Sequence, residues 1–124
     1  MSEHMSHEEY VLSARARAVE ACAAILAGRL DVLEGCHLLA SLRWEVKVDE
    51  RDADFDTFTA ISCEVDALPI GEVRQHWAPE ALTKLEPDIQ SATAWALPQA
   101  VVACRSVVQR FEVVVESNLH RGLA

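Results

Sequence analysis

The amino-acid sequence predicts an all-α fold: a single-domain helical bundle of about five helices, whose long C-terminal helix is expected to kink at a proline. Apolar residues recur every three to four positions over several segments, which is the period of an amphipathic helix. Residues that commonly start or stop helices separate these segments, among them Gly28, Asp31 and Pro79. A chain of 124 residues has room for one hydrophobic core, so residues 1–124 are expected to form one domain.

The first two helices are predicted from their apolar spacing and their caps. Residues 1–6 are expected to fray, and a helix is expected from about Ser6 to Ala27, with Gly28 as its C-terminal cap. Its apolar residues at helical spacing are Val11, Ala14, Ala18, Cys22 and Ile25. Asp31 and Glu34 have the spacing of a capping box, so a second helix is expected to begin there. Its inward residues are expected to be Val32, Leu33, Cys36, Leu39 and Leu42.

A charged loop is predicted to follow over residues 45–53. The alternation of Trp44, Val46 and Val48 would fit a short strand, but the sequence offers no second strand to pair with it. A third helix is then expected to start near Asp54. Its buried face is expected to carry Phe55, Phe58, either Ile61 or Ser62, and Val65.

All four prolines lie in the second half of the chain, where they predict turns and helix starts. Leu68 to Gly71 is typical of a turn, and Pro79 and Pro87 are each suited to open a further helix. The final helix is expected over residues 87–117, with a kink or break near Pro98. Its predicted inward seam is Leu97, Val101, Cys104, Val108, Phe111 and Val115.

The distribution of charge is the most informative functional feature of the sequence. The net charge is −9, and residues 45–72 hold nine acidic residues against Lys47 and Arg51. Such a charge disfavours binding to nucleic acid or to an anionic membrane, because both would repel it. A protein with a basic contact surface is the expected partner.

The densest acidic run, residues 49–56, supplies the leading candidates for partner contact: Asp49, Glu50, Asp52, Asp54 and Asp56. The nearby aromatic residues Trp44, Phe55 and Phe58 favour an interface, because aromatic anchors within a charged rim are common in protein interfaces. The alternatives are a solvated loop and aromatic residues that belong to the core. The interface hypothesis requires the carboxylates to face outward as one negative field that the protein's own basic residues do not neutralise.

Enzymatic and cofactor-binding motifs are not found in the sequence. It contains neither a G-x-S-x-G turn nor a glycine-rich phosphate loop, so we predict a non-enzyme without a metal or cofactor. His37 is expected to be a hydrogen-bonded core residue, and His4 and His7 lie in the frayed terminus. The alternative is a small metal-binding enzyme, which would require His37, Glu64 and Asp66 to converge. The four cysteines lack a C-x-x-C pair and are expected to be buried as thiols: Cys22, Cys36, Cys63 and Cys104.

The N-terminal decapeptide MSEHMSHEEY has no apolar leader, and no stretch is long and apolar enough to span a membrane. A cytoplasmic location is therefore expected. Glu64 is expected to be half-buried at the margin of the third helix. Its carboxylate would then need a donor, for which Arg43 and Arg74 are the candidates.

The segment from Ser62 to Trp77 has the pattern S-x-E-x-D-x-L-P-x-G-x-x-R-x-x-W. This pattern resembles that of a group of small, uncharacterised bacterial helical proteins, and some proteins of similar size and acidity are immunity proteins that neutralise secreted polymorphic toxins. The resemblance implies a stoichiometric inhibitor whose partner is a cognate toxin, and a shared structural turn. The residues of this turn are Glu64, Asp66, Pro69, Gly71, Arg74 and Trp77. The alternative is a homo-oligomer, such as a homodimer, formed through the valine-rich C-terminal helix.

Overall fold

The computed structural model describes residues 6–123, and the side chains of residues 6–111. The described residues form five helices and no strand, which confirms the predicted all-α class. The helices are α1 (His7–Leu26), α2 (Val32–Ser41), α3 (Ala53–Glu64), a 3₁₀ helix (Gly71–His76) and α4 (Pro79–Leu123). Residues 1–5, including His4, lie outside the described range.

Side-chain caps explain where the first three helices begin. The Ser6 hydroxyl accepts a hydrogen bond from the amide of Glu9, and the Glu9 carboxylate accepts one from the amide of Ser6. Asp31 accepts hydrogen bonds from the amides of Leu33 and Glu34, as its spacing predicted. Asp52 caps α3 by accepting from the amide of Phe55, so α3 begins slightly before the predicted Asp54.

One core joins all four α-helices. Helix α1 packs along α4, and α3 packs against both α2 and α4. The predicted inward faces of α1, α2 and α3 are buried. Three phenylalanines fill the centre, with ring centroids 5.3 Å apart for Phe55 and Phe58 and 6.5 Å apart for Phe55 and Phe111. The two α3 phenylalanines are therefore core residues rather than partner anchors.

Helix α4 differs from the prediction in both its start and its buried face. It runs without a break from Pro79 through Pro87 and Pro98, so Pro87 does not open a separate helix. A proline fits the helical φ and removes one backbone hydrogen bond, a loss that the packing of the flanking turns can offset. Leu97, the first member of the predicted seam, is exposed.

The central buried stripe of α4 starts one position earlier, and Ile89 is buried two turns before it. The stripe consists of Ala96, Ala100, Ala103, Cys104, Val107 and Phe111. The alanines allow a close approach of α1, whose own buried face includes Ala14, Ala18 and Ala21. Cys104 and Phe111 are buried as predicted, whereas Val115 lies outside the residues whose side chains are described. The face of α4 that turns inward is therefore the one with the alanines, and the larger Leu97 beside them remains exposed.

The four cysteines are free thiols. Cys22, Cys36 and Cys104 are buried as predicted, but Cys63 is exposed, because it lies on the solvent side of α3. Burial raises the pKa of the Cys36 thiol to about 12. Within residues 6–123, no helix has a stretch that is both long and apolar enough to cross a membrane.

Candidate protein-binding surface at the loop between α2 and α3

Residues 42–51 connect α2 to α3 and are called here the Trp44 loop. Trp44 is 70% exposed, which is the largest exposure of any bulky hydrophobic side chain in the part of the chain whose side chains are described. Val46, two residues later, is fully buried and fixes the loop to the core. The loop therefore has a fixed base and presents an indole ring to solvent.

Arg43 holds the Trp44 loop against the start of α3. Its side chain is only 10% exposed. The Nη1 atom donates to the hydroxyl of Thr59 at 3.1 Å and to the carbonyl of Phe55 at 3.4 Å, and Nη2 donates to the carbonyl of Glu50 and to the Asp56 carboxylate. Because one planar group satisfies acceptors on both the loop and the helix, it fixes their relative position.

The guanidinium of Arg43 also supports the exposed tryptophan. Its central carbon lies 5.5 Å from the ring centroid of Trp44, within the range of a cation–π interaction. The Nε atom of Arg43 is buried and has no hydrogen-bond partner among the described residues. An unpaired buried donor costs stability, which the other hydrogen bonds of the same side chain must outweigh.

The opposite side of the loop is bound to α1. Arg15 donates from Nε to the carbonyl of Val46 at 2.8 Å and from Nη2 to the carbonyl of Lys47 at 3.2 Å. Tyr10, also on α1, donates its hydroxyl to the Glu45 carboxylate, and this hydrogen bond raises the pKa of Tyr10. Lys47 adopts φ +54°, in the left-handed region that side chains other than glycine rarely occupy. The loop is thus held in a strained conformation from two sides.

Arg110 on α4 binds two of the predicted contact carboxylates. Its Nη2 lies 2.7 Å from Oδ1 of Asp52, and its Nη1 lies 2.6 Å from Oδ2 of Asp54. The hydroxyl of Ser106 also donates to Asp54, at 2.6 Å. Partial burial acts to raise the pKa of Asp52, but the hydrogen bonds from Arg110 and from the amide of Phe55 outweigh it, so this pKa is lowered.

The five predicted contact carboxylates therefore do not form one uncompensated negative field, so the condition set for an interface made of all five is not met. Asp52 and Asp54 are paired with Arg110, and Asp56 is paired with Arg43. Asp49 and Glu50 are exposed, and neither carboxylate forms an ion pair with any residue whose side chain is described. The pairing of these carboxylates with Arg43 and Arg110 was not predicted from the sequence, because ion pairs between distant segments leave no signal in residue spacing.

Asp49, Glu50, the exposed half of Asp56 and the ring of Trp44 are called here the Trp44 surface. Asp49 accepts a hydrogen bond from the amide of Arg51 at 2.8 Å, which orders the acidic turn. The Trp44 surface combines one apolar anchor with neighbouring carboxylates. This combination suits contact with a basic protein surface that also has an apolar depression.

The segment with the S-x-E-x-D-x-L-P-x-G pattern links α3 to α4, as a structural turn would. Pro69 is buried, and Gly71 has φ +68°. The prediction for Glu64 is wrong, because this side chain is exposed and neither candidate arginine contacts it. Arg74 instead lies 3.5 Å from Glu86. Glu64 follows Ile61 by three positions and precedes Val65, which places it beside the buried stripe and toward solvent.

The remaining residues of that pattern, Asp66 and Trp77, are both exposed, and the amide of Trp77 donates to the carbonyl of Arg74 at 3.1 Å.

A pocket of about 510 Å³ lies next to this segment, at the opposite end of α2 from the Trp44 loop. Its apolar side chains are those of Leu33, Ile70 and Ile89. Its polar side chains are those of Asp31, Glu34, Glu72 and Arg74.

His37, Glu64 and Asp66 do not converge on a metal site. The Nδ1 atom of His37 lies 2.5 Å from the hydroxyl of Ser62, which confirms the predicted hydrogen bond, but His37 is half-buried and not a core residue as predicted. Across the described residues, no group of three His, Cys, Asp or Glu side chains is placed to hold a metal ion.

Comparison with known proteins gave no match to a protein family, to a curated protein or to a solved structure. The fold places the protein in the all-α class. The geometry of the Trp44 surface is the basis for inferring its function.

Proposed function

We propose that this protein is a stoichiometric protein-binding inhibitor of the immunity type, which acts in the cytoplasm and binds its target through the Trp44 surface. The target is a basic protein, a cognate toxin in the bacterial setting that the sequence resemblance implies. Binding would block the target's active site or its substrate channel. The inhibitor itself would carry out no chemistry.

The observation that carries this proposal is the 70% exposure of Trp44 on a loop that is otherwise firmly held. An exposed indole costs free energy in water, and burial of a large aromatic side chain in a partner recovers it. Because Arg43 and Arg15 already order the loop, little conformational entropy would be lost on binding. Tryptophan residues in such settings often dominate the binding energy of an interface.

The charge distribution supports a basic partner. Asp49 and Glu50 are exposed on the same loop as Trp44, and the whole chain has a net charge of −9. Exposed carboxylates around an apolar anchor accelerate association with a basic surface, and this effect weakens as salt is added. The paired residues Asp52 and Asp54 would act differently. We propose that they position the loop and do not contact the partner.

The proposal is tested with the tagged protein expressed in its own host. Wild type is expected to capture a basic protein in a one-to-one complex. When the captured protein is purified, its activity or its toxicity on expression should be abolished by an equimolar amount of this chain. Trp44→Ala is expected to weaken the complex at least about 100-fold, as loss of an interface hot spot does.

Two further variants distinguish the contribution of the Trp44 side chain from that of the acidic residues. Asp49→Lys combined with Glu50→Lys is expected to slow association and to reduce its dependence on salt. Trp77→Ala is the matched control, since it removes another exposed tryptophan, which lies between the 3₁₀ helix and α4 and outside the Trp44 surface. The proposal is wrong if the Trp44 and charge-reversal variants bind and protect as wild type does, or if the captured protein remains active in the complex.

A further inference from the structure

The outer face of α4 is apolar at its middle. Trp95 is 45% exposed and Val102 is 69% exposed, and Pro98 is exposed between them. All three lie opposite the buried stripe that begins at Ala96. Side chains three and four positions apart are neighbours on a helix surface, and exposed apolar side chains that lie together often mark a contact with another molecule.

These residues belong to a longer row with the spacing of a helix-pairing seam. Steps of four and three residues separate its members, and every one of them is exposed. The row is Lys84, Asp88, Ser91, Trp95, Pro98, Val102, Arg105 and Gln109. Alternating steps of three and four keep one stripe of a helix facing a partner helix. The row extends over about 38 Å at a rise of about 1.5 Å per residue.

We propose that this face pairs with the same face of a second copy of the chain, with the two α4 helices antiparallel around a twofold axis between Ala96 and Leu97. In this register each Trp95 packs on Pro98 of the second copy. Asp88 lies opposite Arg105 of the second copy, and the twofold axis repeats both contacts. The remaining layers pair Ser91 with Val102 and Lys84 with Gln109.

Charge complementarity favours a second copy of the chain as the partner and an antiparallel arrangement of the two α4 helices. Asp88 and Arg105 form no ion pair with any residue whose side chain is described, so each is available to a partner. Antiparallel pairing satisfies both charges twice, with the apolar residues between them. A parallel pair in register would instead place Asp88 against Asp88 and Arg105 against Arg105, which is unfavourable.

The inference is independent of the Trp44 surface. Helix α4 carries the dimer contact on the side away from its core stripe, whereas the Trp44 loop lies between α2 and α3. A failed Trp44 test would therefore leave the dimer prediction unchanged, and the reverse also holds.

The test is the mass of the full chain in solution, measured by light scattering and by sedimentation over a range of concentrations. Wild type is expected at twice the chain mass of 13.7 kDa. Arg105→Asp places two carboxylates opposite each other in both layers where Asp88 meets residue 105 of the second copy. It is expected to weaken the dimer at least about tenfold. The double variant Asp88→Arg with Arg105→Asp exchanges the charges and is expected to restore the dimer.

Cysteine cross-linking tests the register directly. In a Cys63→Ser background, Ser91→Cys combined with Val102→Cys is expected to give a disulfide-linked dimer on mild oxidation. These two positions lie about 16 Å apart along one helix and cannot cross-link within a chain. A wild type that remains monomeric throughout overturns the proposal, as does a dimer that Arg105→Asp leaves intact. Contact with a different protein or with lipid vesicles at this face by the monomeric chain would likewise overturn it.

Discussion

Arg110 and Asp52 are separated by 58 residues in the sequence, yet Nη2 of the arginine lies 2.7 Å from Oδ1 of the aspartate. The other oxygen of Asp52 accepts the amide hydrogen bond that caps α3. One carboxylate therefore joins the first turn of α3 to the side of α4. Because the Trp44 loop ends at this turn, the pair also fixes the position of the proposed binding surface.

Removal of the Arg110 side chain is expected to destabilise the protein. In Arg110→Ala, the carboxylates of Asp52 and Asp54 remain partly buried and lose their charged donor. Since the arginine itself is partly exposed and solvent screens the pair, we expect a loss of about 1–2 kcal/mol in the free energy of unfolding. Urea denaturation of the variant and of wild type measures this difference.

Arg29→Ala is the matched control for Arg110→Ala. Arg29 is exposed, and its side chain forms no ion pair with the described residues. Its removal is expected to change the free energy of unfolding by less than about 0.5 kcal/mol. Equal losses in the two variants would show that Arg110 contributes no more than an ordinary surface arginine.

The pH dependence of stability is expected to report the Asp52 pair. The pKa of Asp52 is lower in the folded protein than its ordinary value of 3.8, so the ionised form is favoured by folding. Its contribution is complete above pH 3.8 and is lost as the pH falls through the folded pKa. Asp52→Asn keeps a good N-cap but cannot ionise.

The measurement compares the urea unfolding of wild type and Asp52→Asn between pH 3 and pH 6. Wild type is expected to be the more stable near pH 6, and this advantage should shrink as the pH drops below about 4. A stability difference that stays constant over the whole range would mean that the charge of Asp52 contributes nothing.

Helix starts were the most predictable part of this fold, because caps act over three residues. Asp31 was identified as a cap from its spacing to Glu34, and the structure has it in that role. Pro87 failed as a start signal, because α4 runs through it without a break, although the proline removes one backbone hydrogen bond from the helix. The buried faces of α1, α2 and α3 followed from apolar periodicity alone.

The binding surface was less predictable, because its shape depends on contacts between distant segments. The sequence indicated an acidic cluster, but only the structure shows that Arg43 and Arg110 neutralise three of the five carboxylates considered. The three aromatic residues near the cluster also separate by environment: Phe55 and Phe58 fill the core, and Trp44 faces solvent. Local composition cannot distinguish these outcomes, since they depend on which face of α3 meets α4.

The left-handed conformation of Lys47 predicts opposite effects of two substitutions. Lys47 has φ +54°. Asparagine tolerates this region, so Lys47→Asn is expected to preserve or raise the melting temperature. Lys47→Val places a β-branched residue there and is expected to cost about 1–2 kcal/mol. Both variants remove the same charge, so any difference between their thermal unfolding curves reports the backbone. Equal melting temperatures would mean that the loop relaxes freely at this position.

The close contact between Gly35 and Ile25 predicts an unfavourable effect of a residue that ordinarily favours helices. A Cβ atom at position 35 would overlap the side chain of Ile25, so α2 approaches α1 only because residue 35 is glycine. In an open helix, alanine in place of glycine would stabilise by up to about 1 kcal/mol. Here the overlap is expected to reverse the sign, and Gly35→Ala should destabilise the protein by about 1–3 kcal/mol.

A second substitution separates this steric cause from a general defect in α2. Ile25→Val removes Cδ1, the nearer of the two Ile25 carbons that the new Cβ would overlap, and on its own it is expected to cost about 0.5–1.5 kcal/mol. In the double variant with Gly35→Ala, the loss should be smaller than the sum of the two single losses, because the cavity and the added methyl group compensate each other. Urea denaturation of all four proteins gives this coupling energy. If the two single losses simply add in the double variant, the cost of Gly35→Ala does not come from its contact with Ile25.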